Sequence, residues 1–295
     1  MTKTLHVAAA QIHSGGGLED ILRRLERQVI SAAAVGVEVI LFAECVLHGY
    51  DYDMTVESVR ALAEPVTGPT CSRVVQLAQR HRINILAGFF ERDGDAIYNS
   101  CLVARPDGSR AVQRKQGLTP GELNAGLTRG QVERTVFEFN GVRTAIIICA
   151  DGGIEGLHDR LREQGVQHRF CPCGGGGKIQ DYLRESDLQT EEGRKRYVEN
   201  RPRVFVTDAI LSEKECPHTG LTATNALGPV GQQTCHQGHC SIVDNNRVMR
   251  AQFPGTIVLE HQEDQMIHAA LRFSCGTLSL EPPGRCSESR HCSRQ

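Results

Sequence analysis

Residues 4–12, TLHVAAAQI, are apolar almost without a break. Leu18, Ile21, Leu22, Leu25, Val29, Ala32 and Ala33 then recur at three- and four-residue intervals. The first pattern predicts a buried strand; the second predicts an amphipathic helix that Gly36 ends. VEVILF, at 37–42, is apolar and rich in β-branched residues and predicts another buried strand. Strand, helix, strand in this order is a βαβ unit, with a right-handed crossover and parallel neighbours.

The alternation continues. SRVVQLAQRHR (72–82) predicts a short helix and INILAGFFE (83–91) a strand. SCLVARPDGSRAVQRK (100–115) predicts two strands joined by a turn at Pro106-Asp107-Gly108. RTAIIIC (143–149) is the most apolar strand, followed by a helix at 154–165 and the start of a strand at HRFCPC (168–173). Residues 174–190 are irregular and Gly-rich at first, and 190–200 form a helix with acidic residues at its start. Strands are predicted at 203–211, 240–244, 247–252, 256–261 and 266–273. No repeat or linker interrupts the pattern. It gives one α/β domain over 1–281, helices outside a mixed sheet, and a polar, mobile tail over 282–295.

Composition narrows the function classes. The chain has 295 residues, 40% hydrophobic and 23% charged, and a net charge of −2. That balance argues against nucleic acid or an anionic membrane as partner, and no run approaches the length of a bilayer span. The N-terminal apolar stretch is too short and interrupted for a signal peptide, so the expected location is cytoplasmic. There thiols stay reduced, and the 12 cysteines are expected as core residues, metal ligands or a nucleophile rather than a disulfide framework.

Three residues stand at the ends of predicted strands. Cys149 closes 143–149 and is followed by Gly152 and Gly153, which permit a tight turn, and by a helix whose dipole favours a thiolate. Glu44 follows 37–42, and a carboxylate there is unfavourable unless paired. Lys115 ends 100–115. Reactive groups in open α/β sheets gather at the carboxyl ends of strands. Taken singly, each has an ordinary use, as core cysteine, loop glutamate and surface lysine.

Taken together, these segments resemble the nitrilase superfamily of carbon–nitrogen hydrolases, from VAAAQ (7–11) to about residue 273. VILFAECVLHGY (39–50) resembles the segment carrying the family's glutamate, with Glu44 in that place and Tyr50 ending the motif. RDGDAIYNSCLVARPDGSRAVQRKQGLTPGE (92–122) resembles the hairpin leading to its lysine, here Lys115, with Glu122 as the second glutamate. IIICADGGIEG resembles the nucleophile segment, RYVEN (196–200) a family helix, and GHCSIVDNNRV (238–248) a family strand.

The resemblance implies a four-layer αββα sandwich, dimeric or of higher homo-oligomeric order. It implies that Cys149 attacks an amide carbonyl and forms a thioester, with Glu44 moving the protons. Lys115 and the Ala150 N–H would stabilise the oxyanion, Glu122 would hold Lys115, and Tyr50 and Asp151 would line the pocket. Asp151 has a second reading as a helix cap. No cofactor or metal is implied. The substrate is a small carboxamide, with an N-carbamoyl (ureido) compound as the alternative. A true nitrilase, which commonly has Trp where Ala150 stands, is a weaker reading. A non-catalytic metal-binding scaffold predicts loss of a triad member, and an ammonia-supplying glutaminase predicts an attached synthetase. Ala43, where Pro is common, and Gln116-Gly117, where x-His is common after the lysine, are departures from the family pattern.

Two further motifs invite a different chemistry. CPCGGGGK (171–178) lacks the spaced first glycine of a phosphate loop and has Ile179 where Ser or Thr is needed, so it reads as a loop beside the pocket. CHQGHC (235–240) brings Cys235, His236, His239 and Cys240 close together, with Cys216 and His218 upstream. The spacing is not that of a standard zinc site, and zinc is the minor reading.

Overall fold

The computed structural model describes residues 2–200 and 219–274. In chain order the first elements are β1 (Thr2–Gln11), α1 (Leu18–Ala34), β2 (Val39–Leu41), α2 (Val56–Leu62), α3 (Pro69–His81), β3 (Asn84–Asp93), β4 (Ala96–Ala104), β5 (Arg110–Arg114) and α4 (Pro120–Asn124). Next come β6 (Phe137–Phe139), β7 (Val142–Ile146), a 3₁₀ turn at Cys149–Gly153, α5 (Leu157–Glu163), β8 (His168–Cys173), β9 (Gly176–Lys178) and α6 (Glu191–Asn200). Last come β10 (Gly220–Asn225), β11 (Leu227–Val230), β12 (Thr234–Gln237), β13 (Cys240–Val243), β14 (Met249–Phe253) and β15 (Gln265–Ser274).

The strands form two six-stranded sheets, ordered β15-β1-β2-β3-β4-β5 and β14-β13-β10-β8-β7-β6, and a small sheet β11-β12-β9. β1, β2 and β3 run parallel, as do β7, β8 and β10, with antiparallel strands added at both edges. Period-two alternation sorts the side chains into layers. Val39 and Leu41 of β2 and Cys101 and Val103 of β4 face inward, against Ile146, Phe170 and Ile242 of the second sheet. Ile40, Leu102 and Ala104 face outward, under Leu22, Leu25 and Val29 of α1 and Val74 and Ala78 of α3. On the opposite outside, Ala145, Cys171 and Ala223 pack under Leu157 and Leu161 of α5. The result is the predicted αββα layering. Among the described residues no helix is long and apolar enough to cross a membrane.

The sequence pattern did not mark α2, α4, β6 or β9–β12, and three of the segments it did mark change form. The strand predicted to run to Cys149 ends at Ile146, because the Asp151 carboxylate takes the Ile148 N–H (2.9 Å) and the chain turns at Cys149. The segment at 256–261 is not a strand. It makes one bridge, Val258 to Leu183, then a 3₁₀ turn at Leu259–His261. Its apolar residues are buried against Tyr182, Leu183 and Cys235 of β12 without forming a ladder. The helix predicted over 154–165 shortens to Leu157–Glu163. The strand at 203–211, Cys216, His218 and the tail at 282–295 lie outside the described residues.

Candidate active site

Glu44, Lys115 and Cys149 follow the carboxyl ends of β2, β5 and β7, and the fold brings them together. Glu44 sits in a tight bend. The Gly88 N–H donates to the Ala43 carbonyl (3.2 Å), and Cys45 has φ 47°. A Cβ at Gly88 would come within 2.2 Å of the Cys45 nitrogen, so only glycine lets β3 lie this close. Lys115 is anchored through its backbone, its N–H on the Asn99 carbonyl (2.8 Å) and its own carbonyl under the Gly130 N–H (2.7 Å).

The side chains of Glu44, Lys115 and Glu122 are essentially without solvent exposure. Lys115 Nζ donates to Glu44 Oε1 at 2.7 Å and to both Glu122 oxygens at 3.0 and 2.9 Å. Glu122 is fixed by a capping box at the start of α4: its Oε2 accepts the Thr119 N–H (2.8 Å) and its own N–H donates to Thr119 Oγ1 (3.3 Å). Asn99 Nδ2 donates to Glu44 Oε1 and to Glu122 Oε1, both at 2.7 Å.

Among the eight described cysteines Cys149 is the most exposed. It holds a left-handed backbone, φ 44°, at the start of the 3₁₀ turn. Such a conformation is costly for a residue with a side chain and persists only where the surroundings impose it. The Cys173 thiol is the foremost influence favouring its ionisation; burial works against it; the Lys115 charge, the Gly174 N–H and the Glu44 carboxyl favour it too, and the thiol falls to about 6. Burial raises Glu44 well above the carboxylate range against the pull of Lys115, and the Cys149 and Glu122 charges raise it further. Burial also opposes the Lys115 charge, but Glu44, Cys149 and Glu122 override it and hold the ammonium above the usual lysine range. One cation among three acidic groups leaves a proton to be shared, and these directions put it on Glu44 while Cys149 is a thiolate.

The family model for carbon–nitrogen hydrolases matches residues 6–171, more than half of the chain. The chain belongs to the carbon–nitrogen hydrolase family. A protein named hydrolase from Mycobacterium tuberculosis (strain H37Rv) is 26% identical over 190 residues, covering 59% of this chain and 62% of that protein. The chain thus spans less than two thirds of that relative's length, and about half of a hydrolase from Pseudomonas protegens. A carbon–nitrogen hydrolase superfamily protein from Xanthomonas campestris has the same fold, with TM-score 0.69 at 16% identity over 90% of both chains. An amidase from Nesterenkonia superposes with TM-score 0.63 at 17% identity, over 91% of this chain and 90% of that one.

The other predicted site residues of this carbon–nitrogen hydrolase separate. Tyr50 is at the cluster, its ring 5.8 Å from Lys115 Nζ. Ala150 is exposed beside Cys149, second in the 3₁₀ turn, where the N–H has no partner within the turn. Asp151 is held inside the turn that begins at Cys149. It is fully buried, and its carboxylate accepts the N–H groups of Gln116 (2.9 Å), Gly117 (2.7 Å) and Ile148 (2.9 Å) and pairs with Arg134 (2.9 Å). It ties the loop after Lys115 to the turn at Cys149. Gly117 belongs to the same tie: a Cβ there would come within 2.8 Å of the Ala150 carbonyl oxygen.

Four contributors escaped the sequence pattern. Asn99 is a buried polar residue inside a strand, which was the available signal. Cys173 and Gly174 lie in the loop expected beside the pocket; a Cβ on Gly174 would sit 2.9 Å from Glu44 Oε2, so glycine here lets the loop close on that carboxylate. Tyr52, half-exposed, donates its hydroxyl to the Gly174 carbonyl (3.0 Å) and stacks edge-on with Tyr50 and His236. The Cys-His cluster is not gathered on one point. His236 turns its ring nitrogens to the carbonyls of Tyr50 (2.6 Å) and Gly175 (3.3 Å), Cys240 lies against Thr224, and Cys235 against Gln262. Among the described residues no group of three or more Cys, His, Asp or Glu side chains is arranged to hold a metal ion.

Proposed function

We propose that the chain is a thiol hydrolase that cleaves the C–N bond of a small carboxamide, not a peptide, through a thioester on Cys149. The observation that carries this reading is the buried grouping of Glu44, Lys115 and Glu122 beside the most exposed of the described cysteines. The Cys149 thiolate adds to the amide carbonyl. Lys115 Nζ and the Ala150 N–H stabilise the oxyanion. Glu44, already carrying the proton, gives it to the departing ammonia or amine as the thioester forms. The Glu44 carboxylate then takes a proton from water as that water attacks the thioester, releasing the acid and restoring the thiolate with a protonated Glu44. Glu122 and Asn99 keep Lys115 and Glu44 in register. The Tyr50 and Tyr52 rings form an aromatic wall for the acyl group.

The test is ammonia release from a panel of small primary amides, N-carbamoyl amino acids and nitriles, with wild type and Cys149→Ala. The reading requires release from the amides, abolished in the variant. Release confined to the N-carbamoyl compounds or the nitriles transfers the activity to those classes. Absence of release from folded wild type across the panel contradicts it.

A further inference from the structure

β7 and β8 pair in parallel with a constant offset: Thr144 with His168, Ala145 with Arg169, Ile146 with Phe170. The Ile147 N–H donates to the Phe170 carbonyl (2.9 Å) and carries the register one step beyond the ladder. Beyond it the chain leaves the ladder for the turn that begins at Cys149, and that turn lies against β8. Ala145, Ile147, Cys171 and Cys173 share the helix-facing layer, and Cys149 packs against it. Cys149, at the start of the turn, and Cys173, at the end of β8, thus border the same layer, and the Cys173 thiol is the foremost influence favouring the Cys149 thiolate. A disulfide spans roughly 4.4–6.8 Å between Cα atoms, a separation open to a turn residue packed against the end of the neighbouring strand.

We propose that Cys149 and Cys173 form a peroxide-reactive dithiol, oxidised to a disulfide at the mouth of the site. The solvent-accessible Cys149 thiolate attacks one oxygen of a hydroperoxide; the S–O bond forms, the O–O bond breaks, and with one proton the leaving oxygen departs as water or an alcohol. The Cys173 sulfur then attacks the sulfenic sulfur. The S–S bond forms, the S–O bond breaks, and the departing hydroxide takes the Cys173 proton and leaves as water. Two thiols are oxidised by two electrons and one hydroperoxide is reduced. The Cys171 sulfur, 3.6 Å from that of Cys173, is the rival partner. Cys171 and Cys173 lie two residues apart on one extended strand, however, which separates their Cα atoms by about 6.6 Å, near the outer limit for a bridge. The inference goes beyond amide cleavage and does not depend on the substrate's identity, because its readout is the state of the thiols.

The experiment is treatment of the full chain with hydrogen peroxide, followed by intact mass and peptide mapping without reduction. The expected product is a loss of two hydrogens mapped to a Cys149–Cys173 cross-link. Dithiothreitol should restore a thiol at Cys149 that iodoacetamide labels. In Cys173→Ala the resolving sulfur is gone, and Cys149 should instead accumulate as sulfinic acid that dithiothreitol does not restore. A cross-link mapped to Cys171–Cys173 overturns the proposal. So does wild-type Cys149 passing to sulfinic acid while Cys173 remains a free thiol; both readings come from the wild-type protein and stand whether or not the variant folds.

Discussion

Lys115 Nζ lies 2.7 Å from Glu44 Oε1 with neither side chain open to solvent, and the same ammonium is shared with both oxygens of Glu122. Desolvating these charges is unfavourable, and their mutual attraction offsets it only because each is hydrogen-bonded. Removing one partner strands the others. That rigidity suits catalysis, because the ammonium is held in place before any oxyanion develops.

Asn99 is predicted to matter through both carboxylates. Asn99→Ala removes one donor that serves Glu44 Oε1 and Glu122 Oε1. A hydrogen bond to a charged group contributes about 1.5–3 kcal/mol, so kcat should fall roughly 10- to 100-fold with little change in KM. Steady-state kinetics on the best amide of the panel checks this.

The rate should depend on pH from both sides. With Cys149 lowered to about 6 and Glu44 raised, kcat/KM rises as pH passes 6 and the thiolate forms. It falls on the alkaline side when Glu44 loses the proton owed to the leaving group. Cys173→Ala removes the foremost cause of the thiol's acidity, so its acid limb should move to higher pH. The pH profile of iodoacetamide labelling at Cys149 reads the same shift independently of turnover.

Asp151→Ala should damage stability more than any pocket residue. It leaves the N–H groups of Gln116, Gly117 and Ile148 and the Arg134 guanidinium without their shared acceptor. Breaking a buried ion pair from one side costs about 3–5 kcal/mol, to be measured by urea unfolding. Arg134→Leu combined with Asp151→Ala should cost less than the two single changes summed.

Stability should also decline in mild acid. His168 is fully buried, and burial first, then the nearby Arg169 charge, lowers it to about 3. Burial lowers His48 to about 4. A histidine depressed in the folded state contributes fully above its unfolded value near 6.5, because the unfolded chain takes up the proton first as pH falls. Each should therefore remove about 1.4 kcal/mol per pH unit between roughly 6.5 and its folded value. His168→Gln, which keeps a side chain able to bond Thr222 and cannot titrate, should flatten the slope by that amount in urea melts between pH 6.5 and 4.5.

Much of this was legible beforehand, for definite reasons. Val39–Leu41 is buried on both faces and Val142–Ile146 everywhere but Arg143, so their apolar runs marked strands, and polar residues at their ends marked a site. Asp151 carried two readings, pocket lining and helix cap, because a Cys-x-Asp spacing says nothing of which backbone N–H groups fold back onto the carboxylate. Gly117 and Gly174 were not legible as requirements, since each is needed only for a close approach by chain distant in sequence. Residues 256–261 misled because burial under a loop produces the same apolar run as a strand.

The most direct measurement is rapid quenching of the protein with its best amide, followed by intact mass and peptide mapping, in wild type and Lys115→Ala. The account predicts a mass increase equal to the acyl group, on the peptide containing Cys149, formed within one turnover and lost as acid appears; it should be absent in Lys115→Ala. Amide turnover with Cys149 unmodified throughout, or with the acyl group carried elsewhere, would contradict it.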